Sequence, residues 1–573
     1  MAKARLSSMQ IYYLIGHFFG RFFDTEAMAT LHADMHLLVV NLLGLLVLPG
    51  LLKTWLSVTK YSFLAWFPIA GRDSAVLNDS YFFLCLSMLL TGFITVFEWD
   101  TLFPDNKDYN NLTPLPIPPH VVFFAKGIAL CAFVVLFHAA INIIPTLMFP
   151  NVVLAASFKS GTAGWHIPPG ESLRYIAAHA LSLFLSTIFV FTSLITLHAV
   201  FRLVIPARFL RIVSRTSQLI VILMFVCAFF SGGTADRQIA EAGGLDLWMP
   251  TFWFLGVYQV LINHQSAANL GLAHKAYSAV LVTTVLSVIT YTISYQSSMR
   301  KGFQSAGLPS YGVTPLKRGW ARLLHAAVLR DPIERASFHF VAQTTFRRHE
   351  HMLYWGSFVS VGIAFVLSDL QAIGISSRHL ISLLASALMM SSFILIGLRF
   401  VYTVPADLHA NWIFKIMDEQ LLKRSHGGVR KFMIAAVMVP LMLLLAPLYL
   451  MILGPYTVGG HIIYVSIVSL MLLEVLLFRL KKFPFTCSYL PGKVGTLLLW
   501  PVYVLIIYCY CYGMAYLETW LLEDAKRYVL FVSTLVFLLV LLNRHRVRFL
   551  NKSGPILFEE KPADQMTVLS IDG

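Results

Sequence analysis

Runs of about 20 apolar residues, separated by short polar or basic stretches, recur along the whole chain. A helix of that length crosses the roughly 30 Å hydrocarbon core of a bilayer, whereas a membrane β-strand needs about ten residues of alternating polarity. Because the runs are continuous, the pattern predicts transmembrane helices and excludes a β-barrel. We predict twelve spans, at about 37–57, 78–99, 120–148, 175–201, 217–233, 276–296, 353–373, 379–401, 432–453, 458–478, 496–516 and 526–543.

The composition strengthens this prediction. Hydrophobic residues make up 58% of the 573 positions and charged residues only 12%, about half the share found in soluble domains. The formal net charge is +15, but the basic residues cluster beside the apolar runs, as in proteins that follow the positive-inside rule. We therefore predict an all-α, polytopic helical membrane protein with no nucleic-acid partner.

The distribution of lysine and arginine orients the predicted spans. Three basic stretches, 202–215, 300–348 and 399–431, fall on one side of a twelve-span arrangement, and the arginines of 544–548 fall on the same side. The 234–272 connection on the other side carries almost none. Because basic loops stay in the cytoplasm, we expect both termini and the 300–350 segment to be cytoplasmic, in the bacterial inner membrane.

The spans form two groups of six, and an amphipathic helix precedes each group. Before the first group, Ile11 and Phe18 share an apolar face while Arg21 lies opposite. Before the second, Asp331 is a helix N-cap followed by Pro332. Both helices are expected to lie in the membrane interface. The predicted organisation is an N-terminal interfacial helix (1–36), a six-span half (37–299), a basic cytoplasmic linker with the second interfacial helix (300–352), a second six-span half (353–543) and a cytoplasmic tail (544–573).

The loop after the second span is the most informative one. It combines carboxylates and aromatic side chains on a side whose other loops are basic, and it ends in the proline-rich run 112–119. One interpretation is a solvated loop closed by a rigid turn. The other is a docking surface, where aromatic residues anchor a cytoplasmic partner and carboxylates select its charge. The candidate docking residues are Glu98, Asp100, Phe103, Asp105, Asp108 and Tyr109.

This loop, together with the Phe124-Ala125-Lys126 that opens the third span, resembles the permease subunits of type 2 ABC exporters. In that family a comparable proline-containing loop precedes the third helix, and an amphipathic interfacial helix begins each six-span unit. The chain departs from a simple member because two six-span units are fused in it. The corresponding phrase of the second half, 403–412, is only distantly alike.

The resemblance implies a membrane-spanning permease that moves an unidentified substrate and is not itself an enzyme. It also implies a separate ATP-binding cassette ATPase subunit, in two copies, as the partner alongside membrane lipids. The sequence contains no G-x-x-x-x-G-K-[ST] loop, since Gly492-Lys493 lacks both the upstream glycine and the following hydroxyl. ATP hydrolysis is therefore assigned to the partner, and no cofactor is expected.

Polar side chains within the spans are the other candidates, because each is costly in hydrocarbon and faces the interior of the bundle. His138 and Asn142 are one helical turn apart and share a face. We expect Glu474, near the cytoplasmic end of its span, to reach toward Arg479 or Lys481. The intramembrane candidates are His138, Asn142, His179, His198 and Glu474, and no metal-ligand or catalytic spacing accompanies them.

Two other classes of protein stay open. A secondary transporter built from two repeats fits the six-plus-six layout, although such transporters place broken helices and charged residues near the membrane midplane, where few occur in this sequence. A non-transporting membrane scaffold or assembly subunit fits the weak polarity of the spans.

Overall fold

The computed structural model describes residues 8–22, 35–66, 72–103, 117–159, 169–231, 249–301, 325, 328–372, 379–478, 480, 482–487, 500–552 and 556–558. Within these ranges there is no β-strand, only an isolated parallel bridge between Lys482 and Leu557. Eleven of the helices are long and apolar enough to cross a membrane. The predicted all-α polytopic membrane fold is confirmed.

The chain forms two compact units. Unit 1 comprises Met1–Pro309 with Lys493–Pro501, and unit 2 comprises Ser310–Gly492 with Val502–Gly573. The boundary between the two units at Pro309 and Ser310 falls within the segment predicted to link the two halves, 300–352.

Unit 1 is built from eight described helices, several of which begin with proline at the first position, where its missing N–H costs nothing. In chain order they are α1 (Ser8–Arg21), α2 (Met35–Trp66), α3 (Arg72–Phe97), α4 (Pro119–Lys159), α5 (Pro169–Val204), α6 (Ala207–Ser231), α7 (Pro250–Leu261) and α8 (Ala267–Lys301). The centre of the unit is α5, which packs against α3, α4, α7 and α8.

Unit 2 contains nine described α-helices. They are α9 (Pro332–Arg347), α10 (His349–Ala372), α11 (His379–Val401), α12 (Trp412–Ile416), α13 (Glu419–Pro440), α14 (Ala446–Ile452), α15 (Pro455–Leu477), α16 (Trp500–Leu522) and α17 (Ala525–Lys552). Helix α11 is the most buried of the spans and packs against α10, α13 and α15.

The ninth predicted span, 432–453, differs from the others. Its residues belong to the end of α13, a π-helical turn at Leu441–Leu445 and the short helix α14. Pro440 and Pro447 stand on either side of that turn, and each removes a backbone donor that a straight helix would use. The other eleven predicted spans each coincide with one long apolar helix.

Helix α7 was not predicted, because its 12 residues fall in the connection between the fifth and sixth spans. At 1.5 Å per residue it is about 18 Å long, too short to cross a bilayer. Eight of its residues are buried, and it packs against α3, α5 and α8. The chain then reverses at Asn263, whose φ of 72° suits the left-handed conformation that asparagine tolerates. Helices α7 and α8 thus form a helical hairpin, in which α7 is buried in the core of unit 1.

Both helices predicted to lie in the interface are present. Leu14 and Phe18 of α1 and Phe22 just beyond it recur every fourth residue and are buried against α4, while Tyr12 and Tyr13 on the opposite face are exposed. Helix α9 begins as predicted. The Asp331 carboxylate accepts a hydrogen bond from the backbone N–H of Ile333 at 3.0 Å, which caps the helix.

Candidate functional site

The loop after the second span is only partly described, and three of its six candidate docking residues can be located. Glu98 is half-buried and Asp100 is exposed, so both present carboxylates at the surface of unit 1. Phe103 is 0% exposed. Asp105, Asp108 and Tyr109 lie outside the described residues.

Phe103 is packed inside unit 1. Its ring centroid lies 4.8 Å from that of His198 and 4.9 Å from that of Tyr291, and the Arg202 guanidinium sits 4.7 Å from the same ring. Trp99 stacks on the other side of His198 at 4.7 Å. The interpretation of Phe103 as an exposed anchor does not agree with this geometry, since a buried ring stabilises the loop rather than a partner. The docking role of the loop stays a prediction for the other residues.

The equivalent loop in the second half is anchored firmly to unit 2. Phe485 donates its backbone N–H to the Tyr402 carbonyl at 3.1 Å, and its own carbonyl accepts from Ala406 N–H at 3.0 Å. The Asn411 side chain donates to the Thr486 carbonyl at 2.8 Å. Phe485 has a φ of 66°, uncommon for a non-glycine residue, and its ring stacks on His351 at 4.8 Å. The segment 402–411 is therefore fixed along 483–487.

Immediately after this anchored segment, α12 exposes an apolar surface. Trp412 is 59% exposed, Ile413 50% and Ile416 74%. We call these three residues the α12 patch. The patch lies between the basic loop residues of 399–431, outside every helix long enough to span a membrane. A tryptophan and two isoleucines held at the surface on a fixed backbone are typical of a surface that binds a protein or the membrane interface.

Glu474 is held by two arginines. Its Oε1 accepts from Arg430 Nε at 2.6 Å and its Oε2 from Arg546 Nε at 2.7 Å, so that α13, α15 and α17 meet at one carboxylate. Both Glu474 and Arg546 are buried. The expected partners Arg479 and Lys481 lie outside the described residues. The pairing satisfies a buried charge twice, which makes the cluster a structural junction of unit 2.

A buried histidine adjoins this junction. His426, in the part of α13 that precedes the ninth predicted span, has its pKa lowered to about 4. Burial is the main cause, and the positive charge of Arg546 adds to it. The imidazole is therefore neutral at physiological pH.

His138 and Asn142 belong to one hydrogen-bonded cluster in unit 1. Asn142 Nδ2 lies 3.0 Å from both His138 Nδ1 and Ser87 Oγ, and His138 Nδ1 lies 2.9 Å from Thr187 Oγ1. The cluster joins α3, α4 and α5 in the interior of the unit. The expectation that these two side chains share a face is confirmed, and their partners are hydroxyl groups of neighbouring spans.

His179 and His198 lie among aromatic rings. The His179 ring contacts Phe83, Phe149 and Tyr258, and neither of its nitrogens has a hydrogen-bond partner in the described structure. His198 is enclosed by Trp99 and Phe103. Both imidazole rings are therefore packed in the interior of unit 1, as aromatic core side chains are.

Two charged clusters were missed in the sequence. In unit 1, the buried Asp79 carboxylate forms ion pairs with Lys53 Nζ at 2.7 Å and with Lys60 Nζ at 2.8 Å. In unit 2, His461 and Glu518 form a buried pair at 2.9 Å. Asp79 and Glu518 lie at the ends of predicted spans, where carboxylates are common, so their positions in the sequence did not indicate buried ion pairs. Lys53, inside the first predicted span, was the available clue.

The chemistry of these clusters is charge pairing and hydrogen bonding within the helix bundle. Among the described residues there is no group of three or more histidine, cysteine or acidic side chains that could hold a metal ion. Comparison of the chain with models of protein families, with characterised proteins and with solved structures found no match.

Proposed function

We propose that this chain is the membrane-spanning permease subunit of an ABC-type exporter, driven by ATP that a separate ATPase subunit hydrolyses. The observation that carries the proposal is the α12 patch, a rigidly held apolar surface in the loop that follows the second span of the second half. The patch adjoins 403–412, the distantly similar counterpart of the first-half loop at which the resemblance to type 2 ABC permeases implies contact with the ATPase. The layout of two units, each with an amphipathic helix against its spans, supports the same proposal.

In this proposal two ATPase copies bind at the cytoplasmic face, one at the loop 98–118 and one at the α12 patch. Both termini are cytoplasmic and the membrane is the bacterial inner membrane. In the first loop the contacts fall to Glu98, Asp100, Asp105, Asp108 and Tyr109. In the second they fall to Trp412, Ile413 and Ile416, with the surrounding basic residues at the rim.

The test is co-purification of the tagged full-length chain with an ATPase from its own membranes, followed by ATP hydrolysis assays. We expect the complex to hydrolyse ATP and the isolated chain not to. Truncation of a central aromatic anchor removes about 2 kcal/mol or more of binding energy, so Trp412→Ala should lower ATPase recovery at least tenfold. Trp55→Ala is the matched control, because Trp55 is also more than half exposed but lies within the lipid-facing span α2.

Loss of the ATPase with Trp55→Ala as well as Trp412→Ala would point to general destabilisation. Full recovery with Trp412→Ala and Ile416→Ala would reject the α12 patch as the docking surface. Phe103→Ala is unsuitable for this purpose. Removing a buried aromatic side chain costs about 3–5 kcal/mol of folding stability, so a lower yield of complex would report unfolding of unit 1.

A secondary transporter is the second candidate, and the buried His461–Glu518 pair favours it, since transporters coupled to protons use ionisable side chains inside the membrane. Proton-gradient-driven transport by the isolated chain in liposomes, without ATPase, would establish it in place of the first candidate.

A further inference from the structure

His461 and Glu518 form a buried pair in the helix bundle of unit 2. His461 Nδ1 lies 2.9 Å from Glu518 Oε1, and the side chains are 1% and 0% exposed. The remaining polar atoms of the pair, His461 Nε2 and Glu518 Oε2, are also buried and have no hydrogen-bond partner in the described structure. A carboxyl group and an imidazole thus share one hydrogen bond inside the helix bundle.

Among the described residues, no lysine or arginine forms an ion pair with either side chain. The titratable groups beside the pair are tyrosines: Tyr449 from α14, Tyr464 from α15 and Tyr528 from α17. From α11 the neighbour is Ser386, which bonds to the Tyr449 hydroxyl. Helix α13 meets α15 at the other end, near Glu474.

The hydroxyl groups of these tyrosines are directed elsewhere. Tyr464 donates to the Met514 carbonyl at 3.0 Å, Tyr528 to the Gly460 carbonyl at 2.6 Å and Tyr449 to the Leu383 carbonyl at 2.9 Å. His461 is therefore the only ion-pair partner of Glu518 in the part of the chain that the structure describes. Glu474, by contrast, has two arginines.

This difference decides the charge of the pair. A carboxylate beside a neutral imidazole would leave one uncompensated negative charge in an apolar interior, which is costly. Uptake of one proton makes the pair neutral. We place that proton on Glu518, as a carboxylic acid donating its O–H to His461 Nδ1, because an imidazolium–carboxylate pair would keep two separated charges in an apolar interior. Release of that proton restores the carboxylate, to which the imidazole N–H then donates.

We infer that His461 and Glu518 form a proton-binding site of unit 2, occupied by one exchangeable proton. At 1.5 Å per residue, His461 lies about 9 Å from the start of α15 and Glu518 about 6 Å from the end of α16. The predicted topology places both of those helix ends on the extracytoplasmic side, so exchange occurs with that side. The inference goes beyond the proposed function and holds whether or not an ATPase binds.

Infrared spectroscopy of the purified full-length chain tests it, because a protonated carboxylic acid has a carbonyl stretching band separate from the amide bands. At neutral pH we expect this band in the wild type, its loss in Glu518→Gln and its retention in Glu419→Gln, which alters an exposed glutamate at the start of α13. The band should disappear as the pH is raised. In His461→Leu, which leaves the carboxylate without its donor, the midpoint of that loss should rise by about one pH unit or more.

A wild-type spectrum that Glu518→Gln leaves unchanged across the pH range would overturn the site, as would an unshifted midpoint in His461→Leu. The His461→Leu measurement keeps the test valid if Glu518→Gln fails to fold. Neither readout involves ATP, so failure of the proton site and failure of the ATPase proposal are separate results.

Discussion

Glu474 and Glu518 are both buried carboxylates of unit 2, and their neighbours give them different roles. Two arginines converge on Glu474 from helices distant in sequence, which compensates its charge and joins three helices. Glu518 has one imidazole. The type of residue is the same at both positions, so only the surroundings distinguish a junction from a proton site.

Removing the central charge of the Glu474 junction should destabilise unit 2 strongly. Glu474→Gln leaves Arg430 and the buried Arg546 without their counter-charge, and breaking a buried ion pair in this way costs about 3–5 kcal/mol. We expect that loss of unfolding free energy in an SDS titration of the protein in mixed micelles.

The control is the same substitution in an exposed pair of the same region. Glu419 lies at the start of α13 and pairs with Lys423 one turn later, where both solvent screening and side-chain entropy weaken the interaction. Glu419→Gln should cost less than about 1 kcal/mol. Equal losses for the two variants would contradict the structural role of Glu474. The same reasoning makes Glu474→Gln a poor probe of proton coupling, because it disturbs folding.

His426 should make the stability of the chain depend on pH. Its pKa is about 4 in the folded protein against 6.5 in the unfolded chain, so the unfolded chain binds the proton first as the pH falls. The full contribution is present above about pH 6.5 and is lost as the pH falls from there toward about 4, by at most about 1.4 kcal/mol per pH unit. Unfolding measured across this range should show a steeper slope for the wild type than for His426→Gln. Identical slopes would assign the dependence to other groups.

Helices α9 and α13 approach each other so closely that position 428 of α13 has no room for a side chain. A Cβ at Gly428 would collide with the Glu334 carbonyl oxygen and the Ser337 hydroxyl of α9. The same contact is reinforced by ion pairs from Lys431 to Glu334 and from Arg424 to Asp331. Helix α9 is therefore fixed to α13 by shape and by charge.

We predict that Gly428→Ala separates α9 from α13 and lowers the unfolding free energy by about 1–3 kcal/mol, the usual cost of overpacking. Gly513→Ala is the matched control, since a Cβ at Gly513 in α16 meets no atom within 4 Å. It should be neutral or stabilising by up to about 1 kcal/mol, because alanine favours helix more than glycine does. Thermal unfolding of both variants in detergent provides the measurement, and a Gly428→Ala protein as stable as Gly513→Ala would refute the packing argument.

The positions and ends of helices were predictable from the sequence where the signal is local. Hydrophobic runs gave the long helices, and Asp331 with Pro332 gave the start of α9. Helix α7 and the break near Pro440 were not predicted, since a 12-residue apolar run suits a loop as well as a buried helix, and proline is tolerated in membrane helices. The partners of Glu474 lie 44 and 72 positions away, a distance over which helical spacing predicts no contact.

The topology of the whole molecule can be tested directly. The excess of lysine and arginine predicts that the 300–350 segment is cytoplasmic and that the 234–272 connection is not. Reporter fusions after Ser310 and after Gly244 should therefore give signals from opposite sides of the membrane. Signals from the same side would reject the predicted orientation, and with it the extracytoplasmic position of the proton site.

Two hydrogen bonds among the described residues fasten helix α17 to α15, from Tyr528 to Gly460 and from Arg546 to Glu474. At 1.5 Å per residue these points are about 27 Å apart along the helix, close to the thickness of a bilayer core. Because contacts hold it at both points, α17 cannot tilt independently of α15 to relieve hydrophobic mismatch. The length of bilayer that α15 and α17 of unit 2 span together is consequently fixed. Lipids with longer or shorter acyl chains must deform around unit 2, so we expect its stability in reconstituted vesicles to peak at one chain length.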